Sequence, residues 1–267
     1  MQNLYLLIVS LVLSFQMDGQ TAIKYLELKD NFKPNEIVYL FGDNVKLREK
    51  PGTEGAVLEK LKIASELKII KRTPVTYIYN GIEWFWYAVE YKNRTGYVIG
   101  GLISLDKKEI EDTIYLVSCK EEKTNSFIIT RAINKGGKYM ENTSVFRTES
   151  LFSLEVFDNK GLTNIKNMGY IDYHIEACGA NGGGYYIFND GDSLIKAIDV
   201  YQSGDEGIWA TEELVFPNDE GGKEGKILYS STKGEVVNES NNQTKSTVET
   251  CEFVWEGKLL ELKEAEN

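Results

Sequence analysis

Histidine is almost missing from this chain of 267 residues: there is one, His174. Chemistry that needs an imidazole as base or metal ligand would have to be built around that single ring. Cysteine is sparse as well. Cys119, Cys178 and Cys251 are the three, and none has a Cys-x-x-Cys partner, which disfavours zinc sites and thioredoxin-like redox chemistry. An odd number permits at most one disulfide, and nothing in the spacing selects the pair. Proline is scarce at 4, whereas Gly numbers 24 and Tyr 16. With few long apolar runs of helical period, that balance points to β structure.

No Lys or Arg precedes Lys24. Leu4 to Phe15 instead read LYLLIVSLVLSF. This uncharged run has the length of the apolar core of a secretory leader and is short for a membrane span. Small and polar residues follow as far as Ala22, with no cysteine near the end of the run to carry a lipid. The sequence therefore predicts a signal peptide over residues 1–22 and export to the periplasm or beyond. It also predicts no stable membrane anchor after cleavage. An oxidising compartment permits a disulfide.

The net charge is −11, unevenly spread. Residues 23–111 carry 15 basic and 13 acidic groups; residues 112–267 carry 15 and 27. The second half would repel a phosphate backbone, so nucleic acid is excluded as a partner. Hydrophobic content of 42% is enough for a packed core.

From Ile37 to Leu105 short β-rich runs alternate with turns. Val45 and Leu47 alternate with Lys46 and Arg48 before a Pro51-Gly52 turn. Val57 to Leu61 follow, then Leu67-Lys68-Ile69-Ile70, the aromatic run Trp84 to Val89, and Gly96-Tyr97-Val98. Period two places Val45, Leu47, Leu67, Ile69, Val89 and Val98 inside. Five of these elements, in this order, resemble a bacterial SH3 domain: Val45-x-Leu47-Arg48-x-x-Pro51, Val57–Leu61, Leu67–Ile70, Trp86–Val89 and Gly96-Tyr97-Val98. The chain departs from that pattern by an insertion over roughly Thr73 to Ile82, and by Tyr97 where Trp is commoner. The resemblance implies a small barrel over residues 36–105, preceded by an extension over 23–35. It also implies a groove for an extended peptide beside the long first loop, about Arg48 to Lys60. The groove residues it suggests are Tyr39, Trp84, Trp86 and Tyr97, with Arg48 and Lys50 on the rim. Trp84 and Trp86 share a face by period two, and either could be core instead; Phe85 points the other way. The ligands implied are cell-wall peptides or envelope proteins.

The charged stretch Asp106 to Glu111 reads as a short connection. From residue 112 to the end, about eleven strand-like runs recur between Ile114 and Leu262, among them Lys138–Thr148, Gly169–Cys178, Thr247–Trp255 and Lys258–Leu262. Turn signals separate most of them, and Glu256-Gly257 reads as a two-residue hairpin turn. Val236 to Ser246 reads as a mobile loop. The expected fold is all-β: a small SH3-like barrel followed by a larger acidic antiparallel domain over residues 112–267, as a sandwich or bent-sheet barrel.

Exported proteins with bacterial SH3 domains often carry a Cys/His peptidase. Here His174 and Cys178 lie four residues apart in one expected strand, about 13 Å along it, so their side chains cannot meet. Neither Cys119 nor Cys251 sits in that family's motif. Asp172, His174 and Glu176 share a strand face, but neighbours about 6.8 Å apart are too widely set for three-point chelation. The turns Asn189–Asp192 and Pro217–Glu220 match no calcium loop. Gly182-Gly183-Gly184 opens no helix and makes no phosphate cradle. The expectation is a non-catalytic binding protein with no cofactor and no metal. The alternative is an acidic inhibitor or immunity-type protein that binds a cationic enzyme, motivated by the charge of the second half and the Gly179–Gly184 run.

Overall fold

The computed structural model describes residues 23–29, 31–134, 136–147, 151–174, 181–238 and 243–256. The predicted leader, Cys178, most of the Glu256-Gly257 hairpin and the Lys258–Leu262 strand lie outside them. The fold is all-β, as expected, and comprises three antiparallel sheets.

The first sheet is a curled six-stranded half-barrel. Its strands are β1 (Ile37–Tyr39), β2 (Val45–Arg48), β3 (Val57–Leu61), β4 (Glu66–Tyr79), β5 (Ile82–Tyr91) and β6 (Arg94–Ile99), in the order β1-β4-β5-β6-β2-β3. All six residues assigned to the interior by alternation are buried. Gly96 permits the close approach of β6 to β2, because a Cβ there would stand 2.5 Å from Leu47 Cγ. The insertion over Thr73 to Ile82 lengthens β4 to 14 residues. It closes through Asn80 and Gly81, both at positive φ, the conformation a two-residue hairpin turn requires.

The second sheet is a meander of β7 (Asp106–Ile110), β8 (Thr113–Glu122), β9 (Asn125–Ile133) and β10 (Tyr139–Val145). The stretch expected to be a connection is thus a strand: Asp106 to Ile110 pair with Val117 to Thr113. Its charges cluster at the sheet edge, where Lys107 pairs with Glu109 and lies over the Tyr39 ring.

The third sheet is a seven-stranded meander: β11 (Leu151–Asp158), β12 (Asn167–His174), β13 (Asn181–Asn189), β14 (Leu194–Asp205), β15 (Ile208–Val215), β16 (Ile227–Asn238) and β17 (Gln243–Phe253). Of the segment expected to be a mobile loop, the described residues at its two ends, 236–238 and 243–246, are strand, and residues 239–242 lie outside those described. Lys245 pairs with Glu235 and Ser246 with Gly234, so cross-strand contacts override its polar composition. Gly182 to Gly184 lie within β13.

The second sheet is the middle layer. On β8, Tyr115, Val117 and Cys119 point one way and join a core with Phe152, Leu154, Ile171, Tyr185 and Ile187 of the third sheet. Leu116 points the other way and joins Ile129, Ile133 and Phe41. Both faces of β8 are covered, which explains its near-continuous apolar reading, TIYLVSC. Arg131 of β9 seals the seam with the half-barrel. Its guanidinium donates to the Phe41 carbonyl (2.6 Å), stacks 4.3 Å from the Phe41 ring and 4.5 Å from the Tyr139 ring, and pairs with Glu141. The extension ahead of β1 ties the outer layers together. Leu26 exchanges backbone hydrogen bonds with Phe152, and Phe32 packs edge-on against Tyr87.

A buried polar network joins the second and third sheets. Tyr115 donates to Asn167 Oδ1 (2.8 Å), Asn189 Nδ2 donates to the same oxygen (2.8 Å), and Asn167 Nδ2 donates to Thr113 Oγ1 (2.9 Å). Burial pushes the Tyr115 phenol well above its ordinary pKa. Removing Asn167 would leave three buried groups without their partner. Asn167→Ala should therefore cost about 3 kcal/mol or more, read as a lowered urea midpoint with unchanged slope.

Candidate functional site

A groove of about 240 Å³ opens on the half-barrel. Tyr77 and Tyr79, from the insertion in β4, form one wall; Lys46 and Arg48 of β2 form the other; Trp86 of β5 lies between them. Asp43, Asn44, Val45, Thr53, Ile99 and Leu102 complete it. Among the described residues, every lining residue comes from positions 43–102.

The register explains the aromatic wall. Tyr77 is directly opposite Trp84 and Tyr79 opposite Ile82, so these side chains share one face with Trp86. Gly100 to Leu102 form a single helical turn after β6 that packs under this face. A Cβ on Gly101 would stand 2.7 Å from Trp84 Cδ1 and 2.8 Å from Tyr79 Cδ1. The turn thus sets how deep Trp84 sits and how Tyr79 stands. Phe85 lies on the opposite face, beneath Arg72 at 4.4 Å and Lys29 at 5.6 Å.

The six residues suggested by the sequence are distributed differently. Arg48 and Trp86 line the groove. Trp84 is 1% exposed and belongs to the core beneath it. Tyr39 belongs to the seam with the second sheet, where Lys107 lies 3.7 Å from its ring centre and its hydroxyl donates to Glu66. Tyr97 is the cross-strand neighbour of Arg48 but does not line the groove. Lys50 projects into solvent on the first loop. Arg48 itself spends one nitrogen bracing that loop, donating to the Gly55 carbonyl at 2.7 Å. The residues the sequence reading missed are Tyr77 and Tyr79. Their signal was the Asn80-Gly81 dipeptide after an alternating β-prone run, a hairpin marker inside what was read only as an insertion.

The Trp86 indole is nearly buried, and its N–H has no hydrogen-bond partner among the described residues. A buried donor left unpaired is unfavourable by about 1–3 kcal/mol.

Elsewhere, several ionisable groups are committed to the fold. Burial raises the Cys119 thiol far above its ordinary value, and partial burial raises that of Cys251. Both are held away from the thiolate that a nucleophile requires. His174 stacks on Tyr25 at 4.3 Å. Among the described residues, no three His, Cys, Asp or Glu side chains cluster to hold a metal. In the acidic turn after β13, Asp190 accepts from the Asp192 and Ser193 amides and from the Ser193 hydroxyl. In the turn after β15, partial burial alone would raise the Asp219 carboxyl. The ion pair with Lys160 (2.8 Å) and the Phe216 amide (3.0 Å) outweigh it and hold Asp219 below the usual carboxylate range.

Residues 43–104 match the family model of the Bacterial SH3 domain, a span that contains the whole groove. It marks this part of the chain as a binding module of a kind often associated with cell walls. No curated protein and no solved structure matches the chain.

Two predictions follow from these local contacts. Gly101→Ala should destabilise the protein by about 1–3 kcal/mol through overpacking against Trp84 and shift the tryptophan emission, measured by urea unfolding followed by fluorescence. Asp219 is depressed in the folded state, so its contribution is present above the unfolded value of about 3.9 and is lost as the pH falls through the folded one. Asp219→Asn should lower the urea midpoint at pH 7, and the gap to wild type should close under strongly acidic conditions.

Proposed function

We propose that this is an exported, non-catalytic binding protein whose half-barrel takes an extended cell-envelope peptide in the groove between β2 and the β4–β5 hairpin. The carrying observation is an open groove, wholly inside the SH3-matching span, lined by an aromatic wall and two basic residues. Tyr77 is 47% exposed and supplies a stacking surface for an apolar or proline-like segment. Lys46 and Arg48 favour a ligand with a carboxylate. Peptides of cell-wall cross-links have this chemistry: short, extended, and ending in carboxylates.

The proposed localisation rests on the apolar leader-like run Leu4 to Phe15. The non-catalytic assignment rests on the raised thiols of Cys119 and Cys251, together with the single histidine packed against Tyr25.

Co-sedimentation of the full chain with purified sacculi tests this reading. Tyr77→Ala and Lys46→Glu replace exposed side chains and should leave folding intact. Each is expected to weaken retention by roughly tenfold, the loss typical of truncating an interface anchor. Retention of wild type no greater than that of a control protein of similar charge would sink the proposal.

A further inference from the structure

Tyr77 and Tyr79, the aromatic wall of the groove, stand on an arm that begins at an irregularity in β4. Arg72 pairs with Tyr87 and Thr76 with Phe85, so residues 73–75 together lie opposite the single residue Trp86. A bulge of this size interrupts the ladder and bends the strand. Pro74 within it has no N–H to contribute. The Val75 amide donates to the Thr73 hydroxyl (3.3 Å), which donates in turn to the Trp86 carbonyl (2.9 Å). β6 stops at the same level. Its last residue, Ile99, is the partner of Trp86, and the chain then leaves in the Gly100–Leu102 turn. Past Trp86, residues 76–79 and 82–85 run on as two strands paired with each other. A two-stranded ribbon is marginal by itself.

The tip of this arm is pinned from outside the half-barrel. The Glu121 amide donates to the Asn80 carbonyl at 2.8 Å, and a Cβ on Gly81 would collide with the Glu121 carbonyl oxygen. Glu121 lies on β8 beyond residues 113–117, the stretch that pairs with β7. Its amide therefore meets the arm at the level where β7 has ended. Asn80, Gly81 and Glu121 are all exposed, so undoing the contact leaves no apolar surface behind.

We propose that this contact is a latch. With residues 73–75 as the hinge, it holds Tyr77 and Tyr79 at the separation from Lys46 and Arg48 at which the groove takes its ligand. Glu121, a residue of the middle sheet that does not line the groove, is then a positioning residue for it. The inference rests on the groove being the ligand site. Its physical basis is that a protein binds more weakly in proportion as its competent conformer is less populated. Releasing the tip lets the arm swing at the bulge and divides the population.

Two variants of the full chain break the latch from opposite sides. Glu121→Pro removes the donor and leaves every groove residue in place. That N–H points at the arm rather than at β9, so proline there spares the β8–β9 ladder. Gly81→Ala forces the tip off the Glu121 backbone. Circular dichroism identifies a variant that fails to fold, and the other then decides. Hydrogen exchange read by mass spectrometry needs no ligand. Residues 76–85 should exchange roughly fivefold faster in both variants, the factor of one lost backbone hydrogen bond, with the third sheet unchanged. Retention on sacculi should weaken by a similar factor. The urea midpoint of Glu121→Pro should stay at the wild-type value, which separates a displaced wall from a damaged fold. Wild-type exchange rates over the arm overturn the latch, and a loosened arm with undiminished retention overturns its control of affinity. Wild type that does not sediment with sacculi sinks the groove reading instead, and exchange then still decides the latch.

Discussion

The β8–β9 hairpin is covered on both faces, and the other two layers are positioned by it. Tyr115 and Val117 face the third sheet, while Leu116 and Ile129 face Phe41 of the half-barrel. A strand with two apolar faces has no favourable exposed arrangement, because burying only one leaves the other in water. The half-barrel is amphipathic and needs one cover. The seven-stranded sheet uses one face for the middle layer and closes a second cluster on its other face through Met168, Phe188, Phe216 and Ile227. Two polar devices at the surfaces of the middle layer then determine alignment: the Asn167 network on one side and the Arg131 guanidinium on the other. Groups of this kind lose hydrogen bonds if the layers slide, whereas apolar contact alone tolerates sliding.

The groove depends on this arrangement, although no later residue lines it. The tip of the β4–β5 hairpin rests on the middle sheet, where the Glu121 amide donates to the Asn80 carbonyl at 2.8 Å. Gly81 sits so close to the Glu121 backbone that any side chain there would collide with it. Tyr77 and Tyr79 stand on the arm behind that tip. The wall most suited to hold a ligand is therefore braced by a sheet outside the SH3-matching span. A half-barrel cut away from the rest of the chain would keep its floor and lose this brace. The N-terminal extension acts similarly at the other end, with Leu26 on β11 and Phe32 against Tyr87.

Much of the half-barrel was legible in the sequence because a barrel strand with one wet face records its orientation in every second residue. Val45, Leu47, Leu67, Ile69, Val89 and Val98 are buried where alternation put them. The site was less legible. Alternation placed Trp84 and Trp86 on one face, but period two carries no information about depth. Gly101 and the turn around it press on Trp84 and leave Trp86 at the groove. Tyr39 was a reasonable groove residue by type and position. It became a seam residue because a strand read as a connection, Asp106 to Ile110, brought Lys107 over its ring. Polar composition misled in the same way at the two described ends of Val236 to Ser246, where pairing partners rather than hydrophobicity make the strands.

The sequence by itself determined the all-β class, the order of the SH3-like strands and the side of each strand that faces inward. These are properties of a few consecutive residues, and local sterics and alternation suffice to express them. The tertiary structure decided which faces acquire a second cover and how deep each tryptophan lies. Those outcomes depend on contacts between residues far apart in the chain, such as Phe41 with Arg131, Tyr115 with Asn167 and Leu26 with Phe152. No local pattern encodes them, because each requires two distant surfaces to be brought together before either has anything to touch.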